Sequence, residues 1–96
     1  MAAYFISDAS VKNLEALGMF RARAAVSIAR YGGRYLARAG FVEPVEGTWT
    51  PSAIIIIEFP DLERARTWYR SAEYASALAI RDDAISRDMI LVEGIT

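Results

Sequence analysis

Four isoleucines in a row, Ile54 to Ile57, followed by Glu58-Phe59 and stopped by Pro60, constrain this chain more than any other feature. β-Branched side chains lose rotamer freedom in a helix and fit the pleated surface of a strand, so Ala53 to Phe59 is predicted as a strand. Alternate side chains leave a strand on opposite faces. Ile54, Ile56 and Glu58 therefore share one face, and Ile55, Ile57 and Phe59 share the other. Met89 to Glu93 repeats the pattern, with Met89, Leu91 and Glu93 opposing Ile90 and Val92. A strand that is apolar on both faces belongs to a sheet covered on both sides.

The remaining elements follow from periodicity and turn chemistry. Ala3 to Ser7 is a short apolar and aromatic run that suits a strand. Asp8 or Ser10 is the expected cap of a helix over Val11 to Tyr31, with Val11, Leu14, Gly18, Ala22, Ala25 and Ile28 or Ala29 on its inward face. Gly32-Gly33 ends that helix. These glycines follow a helix, whereas an anion loop precedes one, so they are read as a cap and not as a phosphate site. Arg34 to Arg38 reads as a strand with Arg34, Leu36 and Arg38 on one face, its arginines guarding an exposed edge. A long connection from Gly40 to Ser52 follows. Asp61 caps a helix from Leu62 to about Arg70. A break at Ser71 or Ala72 leads into a second piece from Glu73 to about Ser86.

The order β-α-β-β-α-β is the ferredoxin-like arrangement. One α+β domain over residues 1–96 is expected: a four-stranded antiparallel sheet with helices on one face. The other face is apolar as well, and at about 25 cal/mol per Å² its exposure to water would cost many kcal/mol. A second copy packed sheet against sheet about a two-fold axis removes that cost, so a homodimer is expected.

Composition excludes several kinds of chemistry. The chain has no Cys and no His, which removes disulfides, thiolate zinc, iron–sulfur clusters and the usual general base and haem ligand. No metal site is expected; any chemistry comes from Asp, Glu, Arg, Tyr, Ser or Thr, or from a bound cofactor whose identity the sequence does not give. Eleven basic against twelve acidic residues give a net charge of −1, without the basic stripe that nucleic acid requires. No uncharged run reaches the ~20 residues that cross a bilayer. The first residues lack the basic and apolar regions of a secretory signal, so a cytoplasmic protein is expected.

Polar groups placed among apolar ones are the candidate site. Arg81 falls seven residues after Tyr74 on a stripe that includes Leu78 and Ile85, and a guanidinium facing a core needs an acceptor. Glu58 and Glu93, at the ends of their strand faces, are the expected acceptors, with Arg38 reaching toward Glu58 from the neighbouring strand. Two readings stand. In one, these residues form a structural ion-pair network that fixes helix against sheet. In the other, Arg81, Arg38 and a carboxylate line a pocket between helices and sheet that holds a small anionic molecule, with Glu58 as acid or base. Trp49, in the long connection, either packs on the partner copy or closes over a ligand. Tyr69 is either a core aromatic or a hydroxyl donor into the same cleft.

Tyr31-Gly32-Gly33-Arg34-Tyr35-Leu36, Glu46-Gly47-Thr48-Trp49, Ile57-Glu58-Phe59-Pro60, Trp68-Tyr69-Arg70-Ser71-Ala72-Glu73-Tyr74, Arg81 and Leu91-Val92-Glu93-Gly94, in this order, resemble the bacterial family named domain of unknown function 1330. The resemblance covers nearly the whole chain. It implies a dimeric α+β barrel with a ferredoxin-like protomer. The wider superfamily includes cofactor-independent monooxygenases, isomerase-like enzymes and haem-binding members, with ligand clefts between helices and sheet. Phe20 stands where an aromatic hydroxyl is expected, which counts against a mechanism needing a phenol there. The resulting expectation is a protein that binds or transforms a small anionic organic molecule; the alternative is a non-catalytic dimeric module.

Overall fold

The computed structural model describes residues 1–96. The elements run β1 (Ala3–Val11), α1 (Leu14–Arg30), β2 (Arg34–Arg38), β3 (Ile54–Phe59), α2 (Leu62–Tyr69), α3 (Ala72–Ala84) and β4 (Ile85–Glu93). The four strands form one antiparallel sheet in the order β2-β3-β1-β4. No helix is long and apolar enough to cross a membrane.

β1 and β4 are longer than their apolar runs suggest. They pair along nine positions, from Ala3 opposite Glu93 to Val11 opposite Ile85. Backbone hydrogen bonds to β4 carry β1 through Ser7 to Ser10, where the side chains alone favour a turn. Asp8 and Ser10 are therefore strand residues, and the cap of α1 is Asn13, whose side chain accepts from the Ala16 N–H at 2.9 Å. β4 begins directly at the end of α3, with no intervening loop.

The inward face of α1 also differs from expectation. Leu17, Phe20, Ala24, Ser27 and Ile28 are buried, whereas Leu14 is 78% exposed. Both sides of this helix carry apolar residues, so apolar spacing does not choose between them. Side-chain size does: Leu17, Phe20 and Ile28 bury more apolar surface than Leu14, Gly18 and Ala22 would, and the Ser27 hydroxyl joins them, accepting from the Trp68 indole N–H at 3.0 Å and donating to the Ala24 carbonyl at 2.8 Å. The buried indole thereby gains the partner it needs.

Gly32-Gly33 ends α1 as expected. Gly32 has φ +79°, and the Gly33 N–H donates to the Ile28 carbonyl at 2.9 Å. Gly33 is required for a second reason: a Cβ on it would lie 2.6 Å from the Phe59 ring. The break between α2 and α3 falls at Arg70-Ser71, where the Ser71 hydroxyl caps α3 by accepting from the Tyr74 N–H at 3.1 Å.

All three helices share one core with one side of the sheet. Its centre is aromatic. Trp68 is wholly buried and lies 4.0 Å from Tyr74, 5.1 Å from Phe59 and 5.2 Å from Phe5, measured between ring centroids. Ala3, Phe5, Ser7, Ala9, Ile57 and Phe59 face this layer. Tyr4, Ile6, Ile54, Ile56, Glu58, Ile90 and Val92 alternate with them on the opposite side, which no helix covers. Ile90 is 62% exposed and Val92 43% exposed there.

In β2 a bulge changes the expected pattern. Arg34 and Tyr35 oppose Glu58 and Ile57, but Ala37 and Arg38 oppose Ile56 and Ile55, so Leu36 is an extra residue. Arg34 therefore joins Glu58 on the open face, while Arg38 turns to the helix side with Ile55. The two arginines do not share a face.

Candidate functional site

A cleft of about 570 Å³ opens on the helix side of the sheet, along β4. Phe5, Ile85, Met89 and Leu91 give it apolar walls. Tyr69 from the end of α2, Arg81 and Asp82 from the last turn of α3, Arg87 from β4 and Lys12 bring polar groups to it. The strand alternation that buries Ile85 also sends Arg87, Met89 and Leu91 to this side.

The charges of the cleft are unevenly balanced. Arg81 Nε donates to Asp82 Oδ1 at 3.3 Å, and Arg81 Nη1 makes a long contact of 3.5 Å with the Tyr69 hydroxyl. Desolvation pulls the Arg81 pKa down, but the Asp82 carboxylate outweighs it and the net displacement is upward. The guanidinium therefore stays charged. Lys12 Nζ donates to the Asp82 backbone carbonyl at 2.7 Å, so the ammonium has no carboxylate partner in this contact. Arg87 Nη2 donates to the Tyr74 hydroxyl at 2.8 Å, and its guanidinium lies over the Phe20 ring at 5.6 Å. Burial pushes the Tyr74 phenol up, partly opposed by Arg87, so it stays protonated. Three cations thus meet one carboxylate, Asp82, which is itself largely exposed. Such a cleft is equipped to bind an anion. No three Asp or Glu side chains converge to hold a metal ion.

The residues singled out in the sequence do not form one constellation. Tyr69 and Arg81 meet in the cleft. Glu58 does not join them: it lies on the open face, where it accepts from Arg34 Nε at 2.7 Å. The expected Arg81–Glu58 and Arg38–Glu58 contacts are replaced by Arg81–Asp82 and Arg34–Glu58. Glu93 stands opposite Ala3 at the exposed end of β4, outside the cleft. Arg38 lies over the Tyr35 ring at 4.9 Å and lines a separate recess beneath α1. Trp49 sits across the sheet, its indole N–H donating to Asp8 Oδ2 at 3.2 Å. Asp8 also accepts from the Ser52 and Ala53 N–H groups at 2.9 and 3.3 Å. Desolvation raises the Asp8 pKa, but these three donors reverse the effect and hold it below its ordinary value.

Arg87 is the residue that sequence reasoning missed. Its signal is the alternation Leu91, Met89, Arg87, Ile85, which places a guanidinium on the core face once the strand is extended backwards. The backbone pairing with β1 licenses that extension.

Solved structures share this architecture. A protein of unknown function from Rhodopseudomonas palustris, RPA0582, superposes with a TM-score of 0.79 at 15% identity, covering 99% of this chain and 83% of that one. SnoaB, described as a cofactor-independent oxygenase from Streptomyces nogalater, gives a TM-score of 0.68 at 12% identity, covering 99% of this chain and 94% of its own. A dimeric protein of unknown function with a ferredoxin-like fold from Bacteroides fragilis gives 0.56 at 14% identity, with 97% and 96% covered. At these identities the likeness establishes the fold: α+β and ferredoxin-like, as the order of elements predicts. A search of curated proteins gave no match. The model of one family matches residues 2–95, and with it the motifs from Tyr31 to Gly94; the chain belongs to the family described as domain of unknown function (DUF1330).

Proposed function

We propose that the protein binds a small anionic organic molecule in the helix–sheet cleft. The observation that carries this reading is the convergence of Arg81, Arg87 and Lys12 on an apolar-walled space whose one carboxylate is Asp82. Arg81 holds the anionic group of the ligand, Tyr69 lies beside it, and Phe5, Met89 and Leu91 receive its apolar part. The likeness to a chain described as a cofactor-independent oxygenase supports extending the reading from binding to transformation of the bound molecule. Titration with benzoate, followed by calorimetry, tests the binding step. Saturable binding that weakens at least tenfold in Arg81→Ala is the expected result. Binding that is absent in the native protein, or unchanged in the variant, removes this reading.

A second observation favours self-association. Tyr4, Ile6, Ile54, Ile56, Ile90 and Val92 form an apolar sheet face that no helix covers. A second copy seated on it would bury this surface, and a structural neighbour described as dimeric supports that arrangement. In such a dimer Glu58 and Arg34 enter the interface already paired. Sedimentation at micromolar concentration tests it: a dimer is expected, and a stable folded monomer of 10.6 kDa excludes it.

A further inference from the structure

Beneath α1, on the other side of Arg87 from the cleft, lies a smaller recess of about 60 Å³. Its existence follows from small side chains: Ser7 and Ala9 of β1 and Ala53 leave space that Leu17, Phe20 and Ile55 do not fill. Its walls are mostly apolar, yet three guanidiniums reach it from three different elements: Arg21 of α1, Arg38 of β2 and Arg87 of β4. No acidic side chain lines it, and neither of the two ion pairs in the molecule involves these arginines.

What holds two of them in place is informative. Arg38 lies over the Tyr35 ring, and Arg87 lies over the Phe20 ring while donating to the Tyr74 hydroxyl. Aromatic faces and phenol oxygens position a guanidinium without cancelling its charge. A structural arginine is usually fixed by a carboxylate, and here that partner is replaced by neutral groups. Three like charges around one opening repel each other, and an anion at the opening relieves the repulsion. The Tyr35 phenol registers the same convergence: burial raises its pKa, while Arg38, Arg21 and Arg87 all act on it in the opposite direction.

We infer that this recess is a second binding site, distinct from the cleft of Arg81, and that it takes a monocarboxylate with a short unbranched apolar tail. The carboxylate sits among Arg21, Arg38 and Arg87. The tail enters between Phe20 and Ile55 over Ala9. The narrow recess suits a slender chain better than a ring system. Arg87 and Ile85 line both spaces, but Arg81 and Tyr69 belong to the cleft alone and Arg21 and Arg38 to the recess alone, so the two sites are tested through different residues.

Hexanoate is the probe, with hexan-1-ol and inorganic phosphate as controls, at pH 7 and low salt. Arg38 and Arg21 are exposed, so Arg38→Gln and Arg21→Gln are expected to leave the fold intact, as circular dichroism would verify. Expected are saturable hexanoate binding and a loss of at least tenfold in Arg38→Gln. A smaller loss is expected in Arg21→Gln; Arg81→Gln removes only hexanoate held in the larger cleft and leaves the Arg38-dependent binding in place. Ala53→Leu, which fills the recess, is expected to abolish the hexanoate binding that persists in Arg81→Gln while leaving benzoate binding in the larger cleft unchanged. Hexan-1-ol binding as tightly as hexanoate would overturn the role of the arginines. Phosphate binding as tightly would overturn the role of the apolar walls. Hexanoate binding that is lost in Arg81→Gln and retained in Arg38→Gln would assign the ligand to the larger cleft and refute the second site.

Discussion

The two faces of the sheet use the same kinds of residue to opposite ends. Isoleucines and aromatics line both. On the helix-covered face the apolar surface is closed by Trp68, Tyr74, Phe59 and Phe5, and the cations among them are positioned largely by rings and phenols. On the open face the apolar surface is uncovered; Arg34 is matched with Glu58, and Asp8 with the Trp49 indole and two backbone N–H groups, while Asp88 stands opposite Asp8 without a partner. Charges that are already neutralised tolerate burial against another surface, whereas unneutralised ones attract a mobile anion. The contrast teaches that burial pattern alone does not locate a site. The way each buried or half-buried charge is balanced does.

The largest effect is expected from the centre of the covered face. Trp68→Ala removes the ring that Tyr74, Phe59 and Phe5 pack against and leaves Ser27 without its donor. Urea unfolding should show a loss of about 3–5 kcal/mol. A loss below 1 kcal/mol would mean that the core is centred elsewhere.

Ile90→Asp is the matching substitution on the open face. A carboxylate buried there without a partner costs several kcal/mol, so association should weaken by about a hundredfold or more in sedimentation. The monomer fold should survive, because Ile90 takes no part in the helix-side core. Loss of folding without dissociation would break the comparison between faces.

Ser27→Ala sharpens the account of α1. It orphans the buried Trp68 indole N–H, at an expected cost of about 1–3 kcal/mol in urea unfolding. No change would mean that apolar contact alone sets the orientation of α1. Arg34→Ala should cost about 1 kcal/mol or less, because Arg34 is 71% exposed and the pair with Glu58 is open to water in the protomer. A much larger loss, observed only at concentrations where the dimer forms, would place the pair inside the interface.

The smallest effect concerns pH. The Asp8 carboxylate titrates below its ordinary value of 3.8 in the folded chain. A depressed folded pKa contributes stability that is present above the unfolded value and is lost as pH falls through the folded one. Asp8→Asn should therefore flatten the acid side of the stability profile below about pH 4 and leave its shape near neutrality unchanged. An identical acid limb in the variant would show that the three donors to Asp8 do not contribute to stability.

Much of the fold was legible in the sequence for identifiable reasons. Arg34–Arg38 and the isoleucine strand are bounded by Gly32-Gly33 and Pro60, and these residues act locally. The break at Ser71 is likewise a local cap. Features that depend on pairing were not legible. Nothing local shows that β1 continues to Val11, because the hydrogen bonds that extend it come from β4. The bulge at Leu36 is a property of the β2–β3 register, and it sends Arg34, not Arg38, to Glu58. Leu14 and Leu17 are alike in sequence, and Leu17 faces inward because it shares its side of α1 with Phe20, Ile28 and the Ser27 that meets Trp68. For the candidate site, the spacing in α3 pointed to Arg81, and the end of α2 to Tyr69. Glu58 misled because a strand face can be assigned as a set without knowing which side the helices take, and Glu93 because it shares the side of Leu91 but lies past the end of the cleft.

The isoleucine methyl groups report on both faces at once. Ile85 lines the cleft beside Arg81, while Ile6, Ile54, Ile56 and Ile90 lie across the sheet. Methyl-labelled spectra recorded during a benzoate titration therefore test most directly the claim that the covered face hosts the anion and the open face does not. Movement of the Ile85 resonance with the four open-face resonances stationary is the expected result. Movement confined to Ile54, Ile56 and Ile90 would contradict it.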